Sequence, residues 1–264
     1  MKAFYLYAES QIHAGTGTEL GIVDLPIQRE RTTGIPIIQG IKGALRSSGI
    51  LEDRIFGSKP NVGDSTEAGE FAFSEAKLLL FPVRSVDRTF VWVTCPLILG
   101  RFFRALQKDI AVPSLKTDDA LIADDLVESA IPLSIEELEK PVWFNENLQQ
   151  IARLLSGCAP DEYIKAKLQK DVVMLDDNTF SSVVKTMTEV VPRIRIDNKT
   201  GTVRKGSLWY EEYLPQDTVL YFVARATYYS KASEEKLSAL DNKMMSIGGK
   251  ETVGKGFVLV KEVS

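Results

Sequence analysis

Two stretches of this chain set anion-binding residue types close to residue types that handle protons or metals. Residues 248–256 read GGKETVGKG, four glycines and two lysines in nine positions. Glycine lets backbone N–H groups approach a phosphate with no Cβ in the way. Gly248, Gly249, Lys250, Gly254 and Lys255 are therefore candidate phosphate contacts. The pattern G-x-x-x-x-G-K-[ST] is absent, so this is not a P-loop. A plain structural turn is the competing reading, although one or two glycines would serve it. The other stretch runs GIVDLPIQRER from Gly21 to Arg31. Its Asp24 is a carboxylate in a basic loop, suited to holding a metal or accepting a proton. Spacing alone favours the ordinary reading, a loop aspartate closing a local turn. His13, in HAGTG, is the one histidine of the chain. It can act as an acid or base near neutral pH, yet a lone histidine in a glycine-rich turn is more often a hydrogen-bonded structural residue. A single histidine also excludes multi-histidine metal centres and leaves a His-dependent triad one candidate.

Charge is concentrated as well. The net charge is −4, but 29–46 holds four bases to one acid and 193–205 holds five to one, whereas 109–139 holds nine acids to one base. A mildly acidic chain with two short basic segments points to a focused anion site, nucleic acid being one candidate ligand. Solvated surface is the plain alternative, and the acidic stretch is most simply a solvated face. Arg193-Ile194-Arg195-Ile196 alternates, Asp197–Gly201 has turn composition, and Thr202-Val203-Arg204 returns. That predicts a β-hairpin whose exposed face carries Arg193, Arg195 and Arg204. Trp209, Tyr210 and Tyr213, interleaved with Glu211 and Glu212, follow it. Aromatic rings beside basic residues suit single-stranded RNA, and core packing is the competing use.

The elements that must position these residues are mostly strands. KAFYLYA (2–8) is short, aromatic and β-prone. Residues 41–50 carry helical spacing, with Lys42 and Arg46 on one face. Residues 70–82 and 88–96 predict two strands joined by a loop, and 97–107 a helix. Residues 113–133 look like an acidic surface insertion, followed by helical patterns at 145–155 and 160–168. A strand at 218–229, a short helix at 234–243 and a final strand at 257–263 complete an α+β order with an antiparallel sheet and helices on one side. Length and a 44% hydrophobic content allow a sizeable core, in one domain or two. No run approaches the roughly 20 apolar residues of a membrane span, and no signal peptide is visible. Cys95 and Cys158 are too few for a disulfide framework or a thiolate-rich zinc site, so a reducing cytoplasm is the expected compartment.

Three segments occur in order: HAGTGTELGIVDLPIQRERTTGIPIIQGIKGALR (13–46), VPRIRIDNKTG with LWYEEYLP (191–215), and GGKETVGKGF (248–257). Together they resemble the RAMP superfamily of CRISPR–Cas proteins, and within it the repeated backbone subunit of type III-B (Cmr) effector complexes. The middle of the chain, about 60–185, adds little to the match. The resemblance implies one domain: a ferredoxin-like (RRM-like) palm with an antiparallel sheet at about 1–108 and 216–264, a helical insertion at about 109–170, and a β-hairpin thumb at about 185–215. It implies copies stacked head to tail along a guide (CRISPR) RNA with the other Cmr-complex subunits. The thumb would displace base pairs of the guide–target duplex at regular intervals. A metal-dependent endoribonuclease activity would then cut the target RNA, as antiviral defence, by attack of the 2′-hydroxyl on the adjacent phosphate. The family's catalytic aspartate falls on Asp24, as a ligand of a divalent metal such as Mg²⁺ or as a proton acceptor. His13 and Glu211 border that site as accessory residues. Lys42 and Arg46 are expected on guide phosphates, with the hairpin arginines and the terminal loop also on RNA. The family's Gly-Ser-Ser-type turn before the lysine is shorter here, at Gln39–Gly43. A non-catalytic RNA-binding scaffold of the same fold and the equivalent type III-A subunit remain alternatives.

Overall fold

Every side chain from Ala3 to Ala8 is buried, so the first strand, β1 (Lys2–Ala8), must be paired on both edges and covered on both faces. In the computed structural model, which describes residues 1–17, 23–58, 67–115, 119–127, 131–135, 138–228, 230 and 232–263, it is. The chain continues through β2 (Ile37–Ile38), α1 (Ile41–Ser48), β3 (Phe71–Phe73), β4 (Ala76–Ser85), β5 (Thr89–Thr94) and α2 (Pro96–Leu106). Then come β6 (Ala120–Ile122), β7 (Ile131–Ile135), β8 (Leu138–Phe144), α3 (Glu146–Leu155), α4 (Glu162–Leu168), β9 (Val172–Met174) and α5 (Asp177–Thr186). The last third holds β10 (Glu189–Ile196), β11 (Val203–Tyr213), β12 (Val219–Ala226), β13 (Lys243–Ser246) and β14 (Phe257–Glu262). The α+β class follows directly from this order.

Strands β13, β14, β1, β12 and β4 lie side by side, and β1 runs antiparallel to both β12 and β14. Alternation along β1 sends Tyr5 toward α2, where its ring meets Phe102 at 5.7 Å, and Phe4 to the other face, stacked on Phe222 at 5.2 Å. Helix α2 starts cleanly because Pro96 occupies its first turn, where the missing N–H has no intrahelical partner to lose.

Four expectations need correction. The sheet is mixed, because β5 pairs β9 and β6 pairs β8 in parallel. The stretch 109–170 is not helical throughout: β6, β7 and β8 occupy its centre, and helices begin only at Glu146. Strand β6 sits between β8 and β9 with Ala120 and Ile122 fully buried. It is only three residues long and flanked by aspartates, too short to show a period. Nor are the acids there all solvated. Asp124 is buried against Arg88 at 2.8 Å, Arg88 also holds Asp171 at 2.6 Å, and Lys167 closes on Asp171 at 2.5 Å. Finally, the helix expected at 234–243 is a 3-10 turn over Glu234–Leu240, after which Lys243–Ser246 forms a strand.

Strands β10 and β11 form a separate two-stranded sheet, an arm standing off the main one. Its turn is closed by Gly201 N–H donating to the Asp197 carbonyl at 2.8 Å, with Gly201 in the left-handed region at φ 67°. Cys95 and Cys158 are buried free thiols. No helix among the described residues is long and apolar enough to cross a membrane.

Candidate active site

The site is organised by the free edge of β11. Successive residues on that edge meet different parts of the 12–28 segment. Tyr210 donates its N–H to Asp24 Oδ2 at 2.7 Å and accepts the Leu25 N–H at 3.1 Å. Glu212 donates its N–H to the Leu25 carbonyl at 3.0 Å, and its own carbonyl meets His13 Nδ1 at 2.8 Å. Leu214 then exchanges backbone bonds with Ile12. Asp24 and His13 are thus hung from positions two residues apart on one strand, roughly 7 Å at the usual rise.

Asp24 is half-buried at the root of the arm. One carboxylate oxygen is spent on Tyr210, and the other has no partner among the described residues. His13 is buried, its ring 5.4 Å from that of Tyr213. Because a carbonyl only accepts, Nδ1 carries a proton and Nε2 is the nitrogen free to exchange one. Gly15 makes room for it: a Cβ there would lie 2.7 Å from Nε2.

Glu211 faces the opposite way and is 2% exposed. Its Oε1 accepts from Trp209 Nε1 at 2.9 Å and Lys250 Nζ at 2.6 Å; its Oε2 accepts from Arg193 Nε at 3.1 Å and from the Tyr213 hydroxyl. Burial by itself would raise its pKa, but the donors from Lys250, Tyr213 and Trp209 and the lysine charge hold it down at about 2. Four donors fill its acceptor capacity, so Glu211 is not free for the accessory chemical role expected of it. It is the bolt between arm and C-terminal loop.

The same network corrects other expectations. Arg193 does not lie on an open face of the arm; it turns inward to Glu211 and Tyr213. Lys250 is committed to Glu211, while Lys255 bonds Gln11 and lies 5.2 Å over the Tyr213 ring. Arg46 leaves the face it was to share with Lys42: it pairs with Asp53 at 3.1 Å, donates to the Gly57 carbonyl and covers Phe56. Lys42, Arg195 and Arg204 are exposed. Beside Arg195 and Arg204 the arm shows an aliphatic face to solvent. Val190, Ile194, Ile196, Val203 and Leu208 are each about half exposed on one face, in register as Ile194 opposite Leu208 and Ile196 opposite Val203.

The terminal loop closes onto His13. Gly249 N–H donates to the His13 carbonyl at 2.7 Å, and a Cβ on Gly248, at φ 76°, would meet that oxygen at 2.5 Å. Gly254 is also left-handed, at φ 78°, but opens to solvent. Between this loop, residues 14–15 and α1 lies a groove of about 480 Å³. Gly15, Gly40, Gly43, Gly248 and Gly249 line it, so much of its wall is bare backbone. Gln28 ties the groove to the Asp24 segment, donating to the Gly15 carbonyl at 3.1 Å and accepting the Gln39 N–H at 3.0 Å. The short Gln39–Gly43 turn starts α1 with Gly40 as N-cap and no side-chain cap. Residues 18–22, in the middle of the glycine-rich segment, lie outside the described residues.

Residues missed from sequence are Arg29 and Glu212, whose paired side chains sit beneath Asp24. The signal available was the pair of consecutive acids at 211–212, which strand alternation sends to opposite faces.

Comparison with known proteins gives consistent matches. Residues 5–259 match the model of the RAMP superfamily. The CRISPR system Cmr endoribonuclease Cmr4 of Pyrococcus furiosus is 38% identical over 100% of this chain and 97% of its own length. The CRISPR system CMR subunit Cmr4 of Saccharolobus solfataricus is 27% identical over 98% and 95%. The crystal structure of oligomeric Cmr4 from Pyrococcus furiosus superposes with a TM-score of 0.75 at 29% identity, covering all of both chains. A chain of the type III-B Cmr-beta complex bound to cognate target RNA superposes at 0.77 with 23% identity, over 99% and 96%, a likeness of fold.

Proposed function

The chain belongs to the RAMP superfamily, and on that premise we propose that it is the repeated backbone subunit of a type III-B CRISPR effector complex, which holds guide RNA and cleaves the complementary target RNA. The observation that carries this reading is Asp24: a half-buried carboxylate with one oxygen unpartnered among the described residues, at the root of an arm with an exposed aliphatic face and joined by residues 25–28 to a glycine-lined groove. In this reading the main sheet is the RRM-like palm and the arm is the thumb. The oligomeric crystal form of the Pyrococcus furiosus relative supports assembly of the chain with copies of itself, which in this reading stack head to tail beside the other Cmr subunits.

The groove is where the guide runs. Among the described residues nothing lies within 4 Å of a Cβ added to Gly40 or Gly43, and neither needs a left-handed backbone. Gly40 serves as the N-cap of α1, but inside the helix Gly43 costs roughly 0.5–1 kcal/mol relative to alanine. A polynucleotide backbone lying close to α1 accounts for that cost, and Lys42 adds a cation there. Gly43→Ala should therefore raise the melting temperature while weakening guide-RNA affinity. Opposite signs in the two measurements would be hard to obtain from a surface that RNA does not touch; unchanged affinity would remove RNA from the groove.

Cleavage by an internal 2′-oxygen forms the O2′–P bond, breaks P–O5′ and needs those three atoms in line. An A-form duplex holds the 2′-hydroxyl away from that line, and a nucleotide pushed out of the stack can reach it. Apolar side chains driven between bases unstack them, and the aliphatic face of the arm is built for this. Asp24, at the arm's root, then takes the 2′-hydroxyl proton or helps to hold a divalent ion such as Mg²⁺. Among the described residues no cluster of three or more His, Cys, Asp or Glu side chains is set for a metal. The donor set therefore fits only an ion completed by RNA phosphates and water. Such an ion, when bound, would offset charge on the scissile phosphate. His13, with Nδ1–H fixed on a carbonyl, is oriented to exchange a proton through Nε2. In a reconstituted complex, target RNA should be cut at a constant spacing, leaving cyclic phosphate and 5′-hydroxyl ends. Irregular cuts, or 5′-phosphate ends, would overturn this mechanism.

A further inference from the structure

We infer that Glu212, through its pairing with Arg29, is the positioning residue for Asp24. This rests on the reading of Asp24 as the cleaving carboxylate. Glu212 is 6% exposed and cannot reach RNA, yet it touches both sides of the site, the segment that carries Asp24 and the His13 ring. Its Oε2 accepts the Ile27 N–H at 3.0 Å, while its Oε1 accepts the Thr188 hydroxyl at 2.6 Å and an Arg29 guanidinium N–H. Its backbone N–H takes the Leu25 carbonyl, and its carbonyl takes His13.

The sequence around Asp24 explains why a side chain is needed. Leu25 pairs with β11 through its backbone, but Pro26 has no N–H to donate. Beyond Leu25 the segment would leave the arm were it not for the Ile27 N–H on the Glu212 carboxylate. Arg29 completes the clamp, because its Nη1 donates to the Gly34 and Val184 carbonyls, each at 2.9 Å. One carboxylate therefore ties the Asp24 segment to the arm, to the following loop and to α5. Through its own backbone the same residue sets the histidine. Displacing a reacting group by about 1 Å can lower a rate by about 10²-fold.

The test uses the reconstituted complex with guide and target RNA. Glu212→Gln retains shape and an acceptor for Ile27 but not the charge facing Arg29. It should lower the single-turnover cleavage rate about ten- to hundredfold at saturating target. Target affinity and cut spacing should stay within twofold, and amide hydrogen exchange should accelerate over 23–28 and not over β1. Thr188→Val, which removes one donor to the same carboxylate, should give a smaller loss with the same pattern, and serves if Glu212→Gln does not fold. A purely structural role would instead lower affinity, melting temperature and rate together, which overturns the proposal. Wild-type cutting by Glu212→Gln, with Asp24→Ala inactive, overturns it while leaving the proposed function standing. Wild-type cutting by Asp24→Ala overturns both.

Discussion

Replacing Asp24 with alanine should slow target-RNA cleavage in the reconstituted complex by about 10²- to 10⁴-fold, the range by which a positioned proton-transfer group accelerates a reaction. Guide and target binding should be unchanged. The separation is physical: among the described residues Asp24 makes one hydrogen bond to the fold, accepting the Tyr210 N–H on an accessible strand edge. Water can replace that bond, at a cost of about 1 kcal/mol. Asp24→Asn would still accept the Tyr210 N–H, and should bind RNA while remaining slow. Single-turnover kinetics beside equilibrium binding distinguishes the two quantities. Cutting at wild-type rate by the alanine variant would leave an RNA-binding scaffold as the correct description.

Glu211→Ala should detach the arm. The substitution leaves Arg193, Lys250, Trp209 and Tyr213 without their common acceptor. Breaking a fully buried pair costs about 3–5 kcal/mol. Because the Arg193 and Lys250 side chains are 35% and 33% exposed and can turn to water, about 2 kcal/mol is the better expectation. For a chain of this size that is roughly 4–8 °C in melting temperature. Hydrogen exchange should accelerate across Glu189–Tyr213, and cut spacing should lose regularity. Acid should reproduce the effect. With the carboxyl pKa depressed from 4.5 to about 2, its stabilisation is complete above pH 4.5 and is lost as pH falls toward 2. Exchange in the arm of the wild-type protein should rise through that window, and the alanine variant should lack this step. A pH-independent arm in the wild type would mean that Glu211 does not bolt it.

Elements with their own local signal were legible in the sequence. Apolar runs gave β1, β5 and β12, and the helix expected at 97–107 is α2, which begins one residue earlier at Pro96. The alternation around the Asp197–Gly201 turn gave the arm. What was hidden depended on partners distant in the chain. Strands β6 and β9, three residues each, are strands because they pair with each other and with β8 and β5, partners far away in the chain. Pro82 did not end β4, because it faces Trp92 across a pair that can do without its donor. In the site, Asp24 and the glycines were recognisable as residue types. The fate of the basic residues was not, because Arg193, Lys250 and Arg46 found acceptors at Glu211 and Asp53 that only folding brings near. Composition had pointed to a cationic arm; Arg193 turns in to Glu211 while Arg195 and Arg204 stay exposed, and the arm also carries an exposed aliphatic face.

Strand β1 lies between β12 and β14, and the groove wall joins His13 to Gly249. During synthesis, the first strand has no permanent neighbour until some two hundred residues later, at Val219–Ala226, and its other edge stays open until Phe257–Glu262 emerges. A ribosome-bound nascent chain therefore has no cradle for a guide. In the proposed reading, capture of RNA waits until the loop at 248–256 has been made and has closed onto His13.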